Sequence, residues 1–180
     1  MKKLLLFCAA AFAAITLSAQ TAATFEDITV GSNGVFYDPA IQLGNNAWTN
    51  DSFLFSTYYD NSYGDYYSDI VVSSNVDPAM TADFNNPVSY LYAPAQTPDG
   101  NNFAVWNQNY YGIAPVKLDE AHIVSGMYVT NTSAMINYIK TNAAFNVTFA
   151  IQVTGKKASV QTGTITITLS KLKLCSLYLT

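Results

Sequence analysis

Gly163-Thr164-Ile165-Thr166-Ile167-Thr168-Leu169 decides the fold class. Its threonines point one way and its branched apolar residues the other, as on a half-buried sheet. Most of the chain repeats that two-residue alternation rather than a helical spacing, and Gly, Pro, Asn and Asp bound the alternating segments. The pattern predicts strands over Phe25 to Val30, Ser52 to Tyr59, Asp69 to Ser74, Val88 to Tyr92, Asn102 to Trp106, Ile123 to Asn131, Asn146 to Thr154 and Thr162 to Ser170. Gly31-Ser32-Asn33-Gly34, Gly44-Asn45-Asn46, Asn85-Asn86-Pro87 and Thr97-Pro98-Asp99-Gly100-Asn101 have turn composition and separate them. Strands this short with turns this frequent predict an all-β, antiparallel β-sandwich. One segment, Ser133 to Asn142, reads as helical, with Met135, Ile136 and Ile139 on one face behind polar capping candidates.

The chain opens with Lys2 and Lys3, an apolar run from Leu4 to Leu17, and Ser18-Ala19 before Gln20. That is the order of a secretory signal cut after Ala19, so residues 1–19 are expected to be a leader and 20–180 a single domain in the periplasm, at the cell surface or in the medium. Cys8 has most of the apolar run behind it and reads as part of the leader rather than a lipidation site. Cys175 is then the one cysteine left, so no intrachain disulfide is expected and stability must come from a hydrophobic core. The final ten residues, Lys171 to Thr180, lack the earlier punctuation and stop within an apolar strand; they are expected either to close the sheet or to mark an incomplete domain.

Charge narrows the function. Gln20 to Val116 carries ten carboxylates and no lysine, arginine or histidine. Removing the leader takes two of the eight cationic residues and none of the twelve acids, leaving a formal charge of −6. An acidic protein without arginine is a poor partner for nucleic acid or for phosphorylated ligands, which demand several cationic contacts.

The rings in the acidic half are the binding candidates. Tyr58, Tyr59, Tyr63, Tyr66 and Tyr67 lie among Asp, Asn, Ser and Gly, and Trp106, Tyr110 and Tyr111 surround Asn107, Gln108 and Asn109. Flat rings stack on sugar faces or on a macrocycle while amides take hydroxyl and amide hydrogens, so Tyr58, Tyr63, Tyr66, Trp106, Asn107 and Tyr110 are expected to meet a small polar ligand. Adjacent tyrosines in a strand face opposite sides, so half of these rings are expected to point inward. Asp60-Asn61-Ser62-Tyr63-Gly64-Asp65 offers Asp60 and Asp65 as calcium ligands, and Asp83-Phe84-Asn85-Asn86 is a second oxygen-rich turn, although neither has EF-hand spacing.

Catalysis has weaker support. His122 is the single histidine, no Gly-x-Ser-x-Gly elbow is present, and zinc lacks a ligand set. Glu26 and Glu120 are the two glutamates and would serve a glycoside hydrolase only if the fold brought a carboxylate pair together.

Several blocks resemble the exported Bacteroidetes family catalogued as domain of unknown function 4465. They are Thr24-Phe25-Glu26-Asp27, Ser73-Ser74-Asn75-Val76-Asp77, Asn101-Asn102-Phe103-Ala104-Val105 and, most specifically, Val124-Ser125-Gly126-Met127-Tyr128-Val129-Thr130-Asn131-Thr132-Ser133, followed by a strand from Phe149 to Gly155. The resemblance spans residues 24–157 and implies a jelly-roll-like β-sandwich without established catalysis, some members being linked to corrinoid capture beside outer-membrane transporters. The chain departs from the family at Tyr66-Tyr67-Ser68-Asp69-Ile70, where a Trp and a Gly-Phe pair are usual, and in lacking further aromatic strands after Gly155. The leading expectation is therefore a non-catalytic exported module binding a corrinoid or a glycan. The alternatives are a structural or assembly protein of the cell envelope and, behind it, a glycoside hydrolase.

Overall fold

A computed structural model describes residues 22–36, 42–62, 66–85, 88–97, 100–107, 115–120, 124, 126–142, 149–169 and 175–178. The principal sheet joins β1 (Gly44–Asn50), β2 (Phe53–Asp60), β3 (Tyr66–Ser73) and β4 (Phe103–Asn107) in sequence order, with the short β5 (Lys117–Leu118) also on β2. All of these pairings are antiparallel. β5 meets Phe53 and Leu54, while β3 takes Thr57 to Asp60 farther along the same strand. Two further antiparallel pairs complete the strands: β6 (Gly126–Val129) with β9 (Cys175–Tyr178), and β7 (Ala150–Lys157) with β8 (Val160–Thr168). The chain is all-β and sandwich-like, as the alternation predicts.

Alternation places the core. Trp48 stands opposite Phe55 across β1 and β2, and their rings stack at 4.5 Å between centroids. Phe25 and Phe36, from the segment preceding β1, close over them at 6.3 Å and 5.4 Å from the Trp48 ring. The Trp48 indole N–H donates to the Thr57 hydroxyl at 2.7 Å, and that hydroxyl donates to the Ile70 carbonyl. β3 is buried on both faces from Tyr67 to Ser73, which marks it as the central strand. Asp69, in the left-handed region at φ +65°, marks where β3 changes partners. Up to Asp69 it pairs with β2; beyond it, the Phe36 N–H reaches the Val72 carbonyl and Val35 bridges to Ser73. Asp is among the few residues that tolerate such a backbone.

Three of the sequence expectations are corrected. Gly44-Asn45-Asn46 is the beginning of β1, not a turn: Asn46 uses its side-chain amide on the backbone of Gln42 and Gly44, so its turn-like chemistry starts a strand. Phe25 to Val30 is a turn rather than a strand, because the carbonyls of Phe25 and Ile28 accept from the Asn102 side chain instead of from a ladder. Val88 to Tyr92 holds a 3-10 helix, Ser89–Leu91, whose three consecutive residues are all buried; a strand would turn the middle one outward.

The helix forms where expected. α1 (Ser133–Thr141) is capped by Thr132, whose hydroxyl accepts from the Met135 N–H at 3.3 Å. Its first turn is tied down by Ser133, which donates its N–H to the Tyr92 carbonyl and its hydroxyl to the Asp77 carbonyl. Ala134 and Ile136 are buried, while Met135 and Ile139 are half-buried. The block from Val124 to Ser133 thus holds β6 and the cap of α1. The turn at Gly31 to Gly34 is also confirmed: the Gly34 N–H reaches the Gly31 carbonyl, and at φ +72° a side chain there would strike the amide of Asn75.

Candidate functional site

Register assembles one patch on the sheet face opposite Trp48, Phe55 and Tyr67. Tyr58 lies across from Ser68, and Asp60 from Tyr66, while Asn45 flanks Tyr58 on the other side. Residues two apart on a strand share a face, so Ser56, Tyr58 and Asp60 of β2 stand beside Tyr66 and Ser68 of β3. Tyr66 is 40% exposed, and its ring meets that of the buried Tyr90 at 6.3 Å. Tyr67, the next residue, turns inward and packs on Tyr59 at 5.0 Å.

Asp60 is held as a carboxylate. The Ser62 hydroxyl, the Ser62 N–H at 2.7 Å and the Tyr58 hydroxyl donate to it and lower its pKa below the ordinary value of 3.8, against a smaller opposing effect of burial. The patch therefore presents a fixed negative charge between two phenol rings at neutral pH.

Beneath the rings are two polar groups that sequence reasoning missed. The hydroxyls of Ser56 and Ser68 are buried and find no hydrogen-bond partner among the described residues. Ser68 is 1% exposed. A buried hydroxyl without a partner costs about 1–3 kcal/mol, so two on one face, next to an exposed ring, call for a polar partner from outside the described residues. Ser56 stands one diagonal step from Ser68, a Cα separation of about 7–8 Å. The signal that would have found them is positional: each serine is two residues from a tyrosine on the same strand face.

The other predicted site residues fall elsewhere. Trp106 is 37% exposed and lies across from Ile70. That is four residues along β3 and one strand over from Tyr66, roughly 14 Å by strand geometry. The buried Ser68 and Ile70 separate the two rings, so they form two stacking points rather than one platform. Asn107 donates its side-chain N–H to the Tyr67 carbonyl at 2.7 Å, which places its amide in the service of the β3 backbone. Tyr63, Tyr110 and Asp65 lie outside the described residues, as do Tyr111, His122 and residues 1–19. Of the calcium pair only Asp60 is described, and no three of His, Cys, Asp and Glu come together among the described residues.

Several other acids are tied to backbone or side-chain donors. Glu26 Oε1 accepts from the N–H groups of Asn101 and Asn102 at 2.9 and 2.7 Å, and Asp27 accepts from the Asn50 side chain at 2.6 Å. Glu26 thus clips the segment Thr24 to Asp27 to the start of β4. The space it fills is left by Gly100, where any side chain would collide with it. Asp83 accepts from the Asn85 N–H at 2.8 Å.

Asp77 gathers its own loop. Its carboxylate accepts from Ala82 and Thr81 N–H groups at 2.7 Å each, and these, the Ala82 bond foremost, lower its pKa below 3.8. A depressed folded-state pKa contributes stability that is present above the unfolded value and lost as pH falls through the folded one. Acid titration followed by tryptophan fluorescence should therefore show the wild type losing stability below about pH 4 more steeply than Asp77→Asn.

No helix among the described residues is long and apolar enough to cross a membrane. No family model, curated protein or solved structure matches the chain.

Proposed function

We propose that the chain is an exported, non-catalytic binding module that captures a small polar ligand, a glycan or a corrinoid, on the Tyr58–Tyr66 face of its principal sheet. The observation that carries the reading is the pair of unpartnered buried hydroxyls, Ser56 and Ser68, beside the exposed Tyr66 ring. A ligand that stacks on the ring and displaces the chain covering the two serine oxygens offers them hydroxyl or amide groups and relieves the cost of leaving them unpaired. Asp60 accepts a further ligand hydrogen through its free lone pairs. Trp106, roughly 14 Å away, meets the ligand only if it extends over more than one ring unit, which favours an oligosaccharide or a substituted macrocycle over a monosaccharide.

The proposal extends to family: the chain is read as a divergent member of the exported family it resembles, on the strength of the entry block and the Val124 to Ser133 block. In that setting an outer-membrane transporter is the natural partner for a corrinoid. The test is calorimetric titration with cobalamin and with glycans selected on an array. Tyr66→Ala should weaken the binding of the ligand so identified by about three- to tenfold, in line with the 0.5–1.5 kcal/mol worth of a ring contact. No heat with any member of either class would remove the reading.

A further inference from the structure

Charge is segregated along this chain. Gln20 to Val116 holds ten carboxylates and no cation, whereas residues 121–180 hold five lysines, the histidine and no carboxylate. Lys156 and Lys157 sit at the far end of the β7–β8 hairpin, where their cross-strand neighbours are Gln161 and Val160. Neither lysine meets a carboxylate among the described residues.

The hairpin projects from the body. Its base is held by the Leu169 N–H on the Phe149 carbonyl and by the Asn131 side chain on the Leu169 carbonyl. Ile167 is buried near that base, but burial fades along both strands, and Val160 at the tip is 69% exposed. The turn is made by Ala158 and Ser159, both left-handed at φ +48° and +69°. Asn and Gly are the residues that suit such a turn, so this one is kept tight at a conformational cost. The result is a narrow tip with an ammonium ion on each face, Lys157 sharing its face with the exposed Val160.

The complementary surface lies on the same chain. The Tyr58–Asp60–Tyr66 face has a fixed carboxylate and an exposed ring, and its own half of the sequence supplies no cation to cover it. A lysine ammonium is attracted both to a carboxylate and to the face of a ring, and its methylene stem packs on aromatic surface. Val160 brings an apolar group to the exposed part of Tyr66. Between two copies, the tip of one brings its ammonium groups to this face of the other.

We propose that the lysine-tipped β7–β8 hairpin docks on the Tyr58–Asp60–Tyr66 face of a second copy of this chain, joining copies head to tail. Donor and acceptor are different surfaces, so a docked pair still offers one free hairpin and one free face, and the contact grows into a ring or a filament. The inference rests on that face being a binding surface, and the second copy competes there with soluble ligand.

Sedimentation velocity of the chain lacking residues 1–19, across a concentration series at low and high salt, tests it. Wild type should form larger species that grow with concentration and revert toward monomer at high salt, where exposed charges are screened. K156E/K157E, altered only at the exposed tip, should stay monomeric at low salt with an unchanged circular dichroism spectrum. D60K should also stay monomeric, and mixing the two variants should restore association, because each supplies the surface the other has lost. A wild type that is monomeric at every concentration at low salt overturns the proposal, as does association that survives K156E/K157E. Ligand titration of K156E/K157E separates the two readings. Retained ligand binding with lost association supports both, whereas association that withstands Tyr66→Ala while ligand binding is lost removes the docking and keeps the ligand site.

Discussion

Trp48→Ala is expected to destabilise the protein by about 3–5 kcal/mol, measured as a lowered midpoint in urea denaturation. Trp48 is 8% exposed and is the ring on which the core is built. Phe55 stacks on it, and Phe25 and Phe36 close over it, so truncation opens a cavity lined by three rings that belong to different segments. The loss does not stop at packing. The Trp48 N–H donates to Thr57, and Thr57 donates onward to the Ile70 carbonyl, so removing the indole takes one member from a chain of buried bonds linking β1, β2 and β3. Domains are stable by about 5–15 kcal/mol in all, so a loss of this size takes a large share. A change below about 1 kcal/mol would mean that the core is not centred on β1 and β2.

Tyr90→Phe removes a single oxygen and is expected to cost about 1–3 kcal/mol. Among the described residues β4 runs to Asn107, opposite Asp69, and the backbone of Tyr67 lies two residues beyond that pair. The Tyr90 hydroxyl stands in for that strand: it accepts from the Tyr67 N–H at 2.9 Å and donates to the Tyr67 carbonyl at 3.0 Å. Asn107 also donates to this carbonyl at 2.7 Å, so the carbonyl keeps a partner in the variant while the N–H loses its own. Hydrogen exchange at Tyr67 is the direct readout, since the amide should exchange faster in Tyr90→Phe than in wild type with neighbouring β3 amides little changed. Equal protection would assign the N–H a different acceptor. The 3-10 helix exists for the same reason: it lets Tyr90 reach β3 while Ser89 and Leu91 are also buried.

The elements that could be read from sequence are those whose local pattern and tertiary role agree. β8 alternates Thr with Ile because one of its faces is half-covered, and α1 shows both its cap and its apolar face. β1 was illegible because Gly44, Asn45 and Asn46 carry the chemistry of a turn, and only Trp48 and Asn50 at its far end are buried. The 3-10 helix was illegible because its shape follows from a hydroxyl bond to a residue 23 positions earlier. In the candidate site, the rings announced themselves, and the register sets Tyr58, Asp60 and Tyr66 side by side, although Asp60 was expected with Asp65 as a calcium ligand. Trp106 was displaced from them by strand spacing, and Asn107 was drawn into the backbone of β3. Ser56 and Ser68 carried no signal, since a serine becomes informative only once the fold has buried it and left it unpaired.

That last property gives the account its sharpest test, one that needs no knowledge of the ligand. In chemical denaturation of the ligand-free protein, Ser68→Ala deletes a hydroxyl that has no described partner in a residue already buried. If the hydroxyl is held for a ligand, the variant should be as stable as wild type or more stable by up to about 1 kcal/mol, because an unpaired polar group has been removed. A loss of more than about 1 kcal/mol would show that the hydroxyl is bonded within the protein itself, and would contradict the claim that it is held for a ligand.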